Sequence, residues 1–556
     1  MSRARQAVLV FGIYLLLAVI LHAAHFAEGS PATVPPPGRW PHDAVLNAFL
    51  AARNAPALTT GGVTAWLDTG CFHPQRDTLL LTEPLLGFSF LDWPLVRLGL
   101  PPLLAHNLLW LLALAGNGLG IFLLVRGLVG GSGVPLVAGL PIVFGSYAWS
   151  EGPRLQIMFV GVAAVALLCL ERLARDRRRR DVGYLALAIG AQLLLSLYLA
   201  LFLVTAMALW LVLRPLAYGW REARVPFLAG ALALAVAVPV VMTWPLLGRY
   251  LDVREDLKPA RLIEEVARTS VRPEAFGCVH PGSSALLGAV IPCGSHWTVN
   301  EPHFPGVLAV GLLIGGLALA VRPTGSRLVR HHLLLLTMLG VLMLGPTIDL
   351  GNGHAVPGPY RLLARLVPGW KGVRLPGRLH SVAGLSMALV IAAALGEVER
   401  RGGRRMGRAV LLGAAAITLA EVIPQPSRYP PPEAIETCPT YAAFLRDAPE
   451  PGAVVELPTK EAVPRAPMRD TRAMLASLIH HRRVVNGHFS LDTPAYLRAV
   501  HALDTFPSPA SLAMARELGV RFVVVHEDPR VVRDARASPG IARCFRDGAS
   551  AVYAVK

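Results

Sequence analysis

Repeated apolar runs constrain this chain more than any other feature. About 20 apolar residues in a helix span the roughly 30 Å hydrocarbon core of a bilayer. Runs of or near that length fall at 6–24, 103–126, 133–150, 154–171, 182–196, 198–213, 225–247, 304–321, 332–346, 380–396 and 407–423. Together they predict about eleven crossings. The composition agrees, with 54% hydrophobic and 16% charged residues among 556 and a mean hydropathy of +0.50. A soluble globular chain has no use for so much apolar surface, so this is a polytopic membrane protein, mainly α-helical.

The formal net charge is +17. Its arginines cluster between apolar runs, at ERLARDRRRRD, LRPLAYGWREAR, VRPTGSRLVRHH and EVERRGGRRMGR. If these lie on the cytoplasmic side, the inner segments hold about 20 Lys/Arg against about 6 Asp/Glu, which accounts for roughly +14 of the total. The basic balance is therefore a topology signal and excludes a nucleic-acid partner as its cause.

The first run follows Arg3 and Arg5 and has no clean small-residue cleavage site after it, so it is expected to be a retained span. The stretch from Val182 to Leu213 is about 32 residues, or about 48 Å as one helix, too long for a single crossing. Arginine clusters flank both of its ends, so an even number of crossings is expected, with LLLSLYLALF at the outer turn. With the N-terminus cytoplasmic, the segments 25–102, 248–303, 347–379 and 424–556 share the outer face. The chain divides into a membrane domain (1–424) and an extracytoplasmic α/β domain (425–556), joined at PQPSRYPPPE. In the latter, GAVVELP, RRVVNG, RFVVVH and ASAVYAVK read as strands. SPASLAMARELG reads as a helix capped by serine in front and Gly519 behind.

The chain has six cysteines. Cys169 lies in a span and reads as a small apolar residue. In an oxidising compartment, Cys278–Cys293 and Cys438–Cys544 are the expected pairs, with Cys71 a competing partner. No cysteine or histidine group has zinc spacing.

The first outer segment carries Asp43, Asp68, Asp77, Glu83 and Asp92. Behind Asp43, Val45, Leu46, Phe49 and Leu50 recur at helical spacing, which predicts an amphipathic helix on the membrane surface. Asp43 suits the N-cap of that helix, and a chemical role is compatible with it. Arg374, Arg378 and Lys371 in VPGWKGVRLPGRLH, and Arg249 and Arg254 after the seventh run, stand at headgroup depth. There they either snorkel, bind anionic headgroups or clamp a phosphate. Glu83 is either a second site acid or a helix-capping acid. His42 is a solvated loop histidine, or it orients Asp43 or binds metal; His296, His303 and His354 have no ligand spacing.

The stretches WPHDAVLNAFLAARN, FHPQRDTLLLTEPLLG, HNLLWLLALAGNGLGIFLLVRGL, LSLYLALF, NEPHFPGVLAVGL and VPGWKGVRLPGRLH follow one another in an order found in a known family. An outer domain with VVNGHFS and ELGVRFVVVH comes after them. In this the chain resembles the bacterial GT-C-type membrane glycosyltransferases, in a branch related to the dolichyl-phosphate-mannose protein mannosyltransferases. The resemblance covers nearly the whole chain. It implies transfer of a sugar from a polyprenyl-phosphate carrier to an acceptor on the outer face of the bacterial cytoplasmic membrane. An acid of the first outer loop would serve as base, at the position of Asp43. Arg374 and Arg378 match the family's arginine stretch. The chain departs from the family at His73, at the His42–Asp43–Ala44 triplet and at Pro84. These departures leave Asp43 in place and put the neighbouring contacts and any Mg or Mn site in doubt.

An acceptor hydroxyl needs a base within hydrogen-bond reach. A leaving phosphate needs fixed donors, for which the guanidinium fork is suited. The expected site is thus Asp43 and Glu83 for chemistry, with Arg374, Arg378, Lys371 and Arg249 for the phosphate. No cofactor is certain, with a divalent ion, Mg or Mn, the one candidate, and the acceptor is an unspecified lipid, glycan or protein. Two other classes compete, a transporter or lipid flippase and a non-catalytic envelope-assembly protein. A transporter usually places ionisable groups at the midplane of its spans, where this chain has few. VVNGHFSLD is the best placed ligand-facing edge of the outer domain.

Overall fold

The computed structural model describes residues 2–27, 30–257, 263–293, 302–322, 325–349, 354–425, 434–436, 438–459, 467–526, 540–548 and 550–556. The main helices are α1 (Arg3–Ala27), α2 (Pro41–Thr60), α3 (Leu86–Arg97), α4 (Pro102–Leu128), α5 (Gly161–Asp176), α6 (Arg179–Leu195), α7 (Leu197–Tyr218), α8 (Val225–Asp256), α9 (Arg327–Met343), α10 (His380–Val422) and α11 (Pro467–His480). Among the described residues, six helical stretches are long and apolar enough to cross a membrane, and Gly133–Phe144 and Val307–Ala320 are shorter apolar helices. α10 bends at Gly403, whose φ of 67° divides it into two helices, as the two apolar runs there predict.

Small residues let these helices approach closely, as membrane packing requires. A Cβ on Gly120 of α4 would lie 2.3 Å from the Gly161 carbonyl oxygen of α5. The span expected at 154–171 falls within the candidate span Leu155–Asp176, which is interrupted at 159–160, so that Leu155–Met158 and α5 are separate helices. Asn117 repairs the break. Its amide donates to the Met158 carbonyl (2.9 Å), and its oxygen accepts from Val160 N and Gly161 N (2.8 and 2.9 Å). Interrupted backbone is tolerated at that depth only when its polar groups find such partners.

The long run at 182–213 divides at Ser196, between α6 and α7. The Ser196 hydroxyl caps α7 by accepting from Leu199 N (3.0 Å). Glu83 adds a second cap, its Oε1 accepting from Tyr198 N at 2.7 Å. Two helices replace the single long one, for the reason that length and flanking charge imply.

The apolar face of α2, expected on the membrane surface, is covered by protein. Ala44–Ala52 are buried, with Val45, Phe49 and Leu50 at 1% exposure or less. It packs on α3 and α4 on one side and on α11 of the outer domain on the other. Burying each large apolar side chain of this kind contributes about 1.5–3 kcal/mol, so both layers hold α2 firmly.

The C-terminal domain, expected on the outer face, centres on a sheet of β1 (Ala453–Leu457), β2 (Val520–His526), β3 (Ile541–Arg546) and β4 (Ser550–Val555), in the order β1-β2-β4-β3. β1 and β2 are parallel, connected through helices, and the remaining pairs are antiparallel. RRVVNG, expected as a strand, makes only an isolated bridge to β1 at Val484. Beside its bonds to β1 at Val454, it pairs with residues 70–73: Val484 N donates to the Gly70 carbonyl (2.9 Å) and His73 N to the Val484 carbonyl (3.0 Å). Arg483 seals this seam through Asp68 (2.7 Å) and His73 Nδ1 (3.0 Å). Phe72 lies against Phe489 and Tyr496. SPASLAMARELG forms the expected helix, with Ser508 as cap. Cys278 and Cys293 are joined in a disulfide, whereas Cys438 and Cys544 are both free thiols. The second expected disulfide is not formed: Cys544 Sγ faces the Val552 carbonyl across the β3–β4 pair.

Candidate functional site

Asp43 is not a helix cap. It stands in the first turn of α2, whose N-cap position is Trp40, and no side chain caps that end. Its carboxylate turns instead toward the turn that precedes Leu155–Met158. There Arg154 Nε donates to Asp43 Oδ2 at 2.6 Å, and Arg154 Nη1 donates to Glu151 Oε1 at 2.8 Å. Arg378 Nε lies 3.8 Å from Glu151 Oε2, within ion-pairing range but beyond a hydrogen bond. Asp43, Arg154, Glu151 and Arg378 thus form a chain of alternating charge, drawn from three segments distant in sequence. Glu151 is fully buried in it, Arg154 nearly so, and Asp43 retains 21% side-chain exposure.

Trp40 covers Arg154, whose guanidinium carbon is 5.4 Å from the ring centre. Arg378 lies over Tyr198 at the same distance. The backbone that carries Arg374 and Arg378 is tied from several sides. Tyr360 OH donates to the Val373 carbonyl (2.7 Å), Thr269 Oγ1 to the Arg374 carbonyl (2.6 Å) and Tyr147 OH to the Arg378 carbonyl (3.4 Å). Such fixed second contacts hold a binding group in one place.

Burial pushes the Asp43 carboxyl up, but the charges of Arg154, His42 and His488 more than reverse that, leaving it below the usual carboxylate range. His42 moves down as well, chiefly by burial, against the pull of Asp43 and with the push of Arg154. His42 Nε2 is 3.8 Å from Asp43 Oδ1, and the His42 and His488 rings meet edge to face at 5.1 Å. One ligand atom from each of His42, Asp43 and His488 falls within 4.8 Å of the other two.

The remaining sequence-based residues fall into three groups. Glu83 caps α7, accepting also from the Ser196 hydroxyl at 3.1 Å, and borders a small apolar pocket between α3, the α6–α7 turn and α8. Lys371 and Arg374 are exposed, and Arg374 reaches Tyr198 electrostatically beside Arg378. Arg249 is exposed on α8 and is not part of the charge chain; the side chain of Arg254 and His296 lie outside the described residues. Of the other acids, Asp68 serves the seam with the outer domain. Asp92 is buried in α3 and pushed up to about 7 by that burial.

Sequence reasoning passed over Arg154, Glu151 and Tyr198. The signal for the first two was present in SEGPR: two opposite charges three residues apart, at an outer turn between charge-poor runs. His488 lies within VVNGHFSLD, the edge singled out in the outer domain.

Among solved structures, the whole chain is similar to the arabinofuranosyltransferase AftD from Mycobacteria, with a TM-score of 0.63 at 17% identity, and it covers 40% of that chain. It is also similar over its whole length to ArnT from Cupriavidus metallidurans bound to undecaprenyl phosphate, with a TM-score of 0.51 at 13% identity, covering 98% of that chain. No family model and no curated protein matches.

Proposed function

This chain has the fold of the GT-C membrane glycosyltransferases, and we propose that it moves a sugar from a polyprenyl-phosphate carrier to an acceptor hydroxyl on the outer face of the bacterial cytoplasmic membrane. One observation carries this reading above the others. The acid Asp43 and the arginine of the RLPGR stretch, Arg378, are linked through Arg154 and Glu151, each link 3.8 Å or shorter.

In this reading Asp43 accepts the proton of the acceptor hydroxyl as its oxygen bonds to the anomeric carbon. The bond from that carbon to the phosphate oxygen breaks, and its electron pair stays on the leaving phosphate. Arg378, with Arg374 beside it, meets that charge with preorganised donors. Glu151 keeps Arg154 in place while Asp43 loses its charge, so the site does not rearrange with the proton. The pocket next to Glu83 and Leu197 gives the carrier's tail an apolar seat one residue from Tyr198, on which Arg378 rests. ArnT bound to undecaprenyl phosphate is one of the chain's structural neighbours, which agrees with a carrier of this kind.

The test is sugar transfer in proteoliposomes supplied with a panel of polyprenyl-phosphate sugars. Wild type releases carrier phosphate with at least one donor, and Asp43→Asn does not, although it folds and inserts. Undiminished turnover by the variant removes Asp43 from the chemistry.

A further inference from the structure

We propose that His42, Asp43 and His488 form a three-ligand site for a zinc-class divalent ion, which ties α2 to the C-terminal domain beside Arg154. Two imidazoles and one carboxylate make a donor set that suits zinc and its borderline neighbours, whereas magnesium and calcium prefer oxygen ligands. Three protein ligands with an open fourth position are the pattern of a working site, not of a closed structural one.

The geometry fits. Ligand atoms on one tetrahedral zinc stand about 3.3 Å apart, given metal–ligand distances near 2.1 Å. Here the three atoms lie within 4.8 Å of one another, and His42 Nε2 and Asp43 Oδ1 are 3.8 Å apart. Small rotations of terminal side chains close the difference. The two carboxylate oxygens of Asp43 have separate directions: Oδ1 faces His42, and Oδ2 accepts from Arg154. The arginine therefore orients the ligand from behind, as an outer partner should.

The third ligand is held as firmly as the first two. Asn486, two residues before His488, receives β1 at Glu456 N (2.7 Å) and donates to Asp470 (3.0 Å). Gly487 lies flat on Phe72, where a Cβ would meet the ring at 2.2 Å. Phe489 packs on the same ring. His488 is thus fixed against the first outer segment that continues from α2. Charge points the same way. Asp43, Arg154, Glu151 and Arg378 cancel formally, so a divalent ion on Asp43 supplies net positive charge to a site assigned to an anionic donor.

This builds on the Asp43 chain as the transfer site, but binding is read without turnover. Purified full-length protein in nanodiscs, stripped with chelator, is titrated with zinc chloride and separately with magnesium chloride. Stoichiometry comes from elemental analysis, and melting temperature is followed in parallel. Wild type is expected to take up one zinc per chain and to melt higher with it, and magnesium does not compete. His42→Gln and His488→Gln each weaken zinc binding by about tenfold or more and lose the melting shift. His354→Gln, an exposed histidine elsewhere on the outer face, binds as wild type does. Equal apo melting temperatures certify that the variants fold. Absence of zinc uptake by wild type, uptake unchanged in both ligand variants, or magnesium binding equal to zinc overturns the proposal. Zinc bound by a protein that transfers no sugar sinks the transferase and spares the metal site; sugar transfer by a protein that binds no zinc does the reverse.

Discussion

Two buried polar clusters divide this molecule, one at each end of the helical bundle. Toward the arginine-rich end, Glu171 Oε1 accepts from Trp210 Nε1 at 2.6 Å and pairs with His332 Nε2 at 3.1 Å. His332 Nδ1 reaches the Ser386 hydroxyl at 3.0 Å, and His331 Nε2 reaches the Trp210 carbonyl at 2.7 Å. This cluster joins α5, α7, α9 and α10 through short bonds in a sealed interior. Toward the other end, the Asp43 chain alternates full charges, reaches from Glu151 to Arg378 at 3.8 Å, and leaves 21% of the Asp43 side chain exposed. Both clusters contain a buried glutamate and cationic or imidazole partners. Exposure separates them: the Glu171 set is a sealed bolt, and the Asp43 set keeps part of one carboxylate within reach of solvent.

That contrast breaks if the two clusters respond alike to substitution. Asp43→Asn is expected to lower sugar transfer by about 10³-fold, within the usual range for a lost general base, with melting temperature little changed. Arg378→Ala should weaken undecaprenyl phosphate binding by about 1.5–3 kcal/mol, the value of a hydrogen bond to a charged group, as measured by titration in nanodiscs. Glu171→Ala leaves the Trp210 and His332 donors unpaired. It should cost about 1–3 kcal/mol of stability, seen as a lower melting temperature, while turnover per folded molecule holds. A loss of turnover to match Asp43→Asn would show that the inner cluster is more than a bolt.

The smallest expected effect concerns pH and sharpens the role of Arg154. A base must be ionised, so activity falls as pH drops through the Asp43 pKa. Arg154 helps to hold that pKa down while burial pushes it up. Arg154→Gln removes a lowering charge and keeps the burial, so the acid limb of the kcat/KM profile moves to higher pH. A limb that stays in place shows that another group sets it.

Much of the bundle was legible in length and charge. The division of 182–213 into two helices follows from about 48 Å of apolar chain between like-charged ends, and Ser196 marks the turn. The burial of α2 was not legible, because an amphipathic pattern says that one face is covered and not by what; α11 lies over 400 residues away in sequence. Asp43 was singled out because it matches the family's loop acid, and its bond to Arg154 is what the fold adds to that reading. Its partner Arg154 was hidden because a charge in a three-residue turn looks solvated until the break at Met158–Gly161, paired with Asn117, turns it back into the bundle. The Cys438–Cys544 pairing failed for a similar reason. Two cysteines near opposite ends of a domain satisfy the arithmetic, but the strand pairing that fixes Cys544 against β4 is a tertiary fact.

The most direct test of the central claim is a cryo-EM map of the protein in nanodiscs with undecaprenyl phosphate. The phosphate should lie within hydrogen-bond reach of Arg378, on the side that faces Asp43, with its tail entering the pocket beside Glu83. A carrier phosphate seated elsewhere on the bundle, away from Arg378 and out of reach of Asp43, contradicts it.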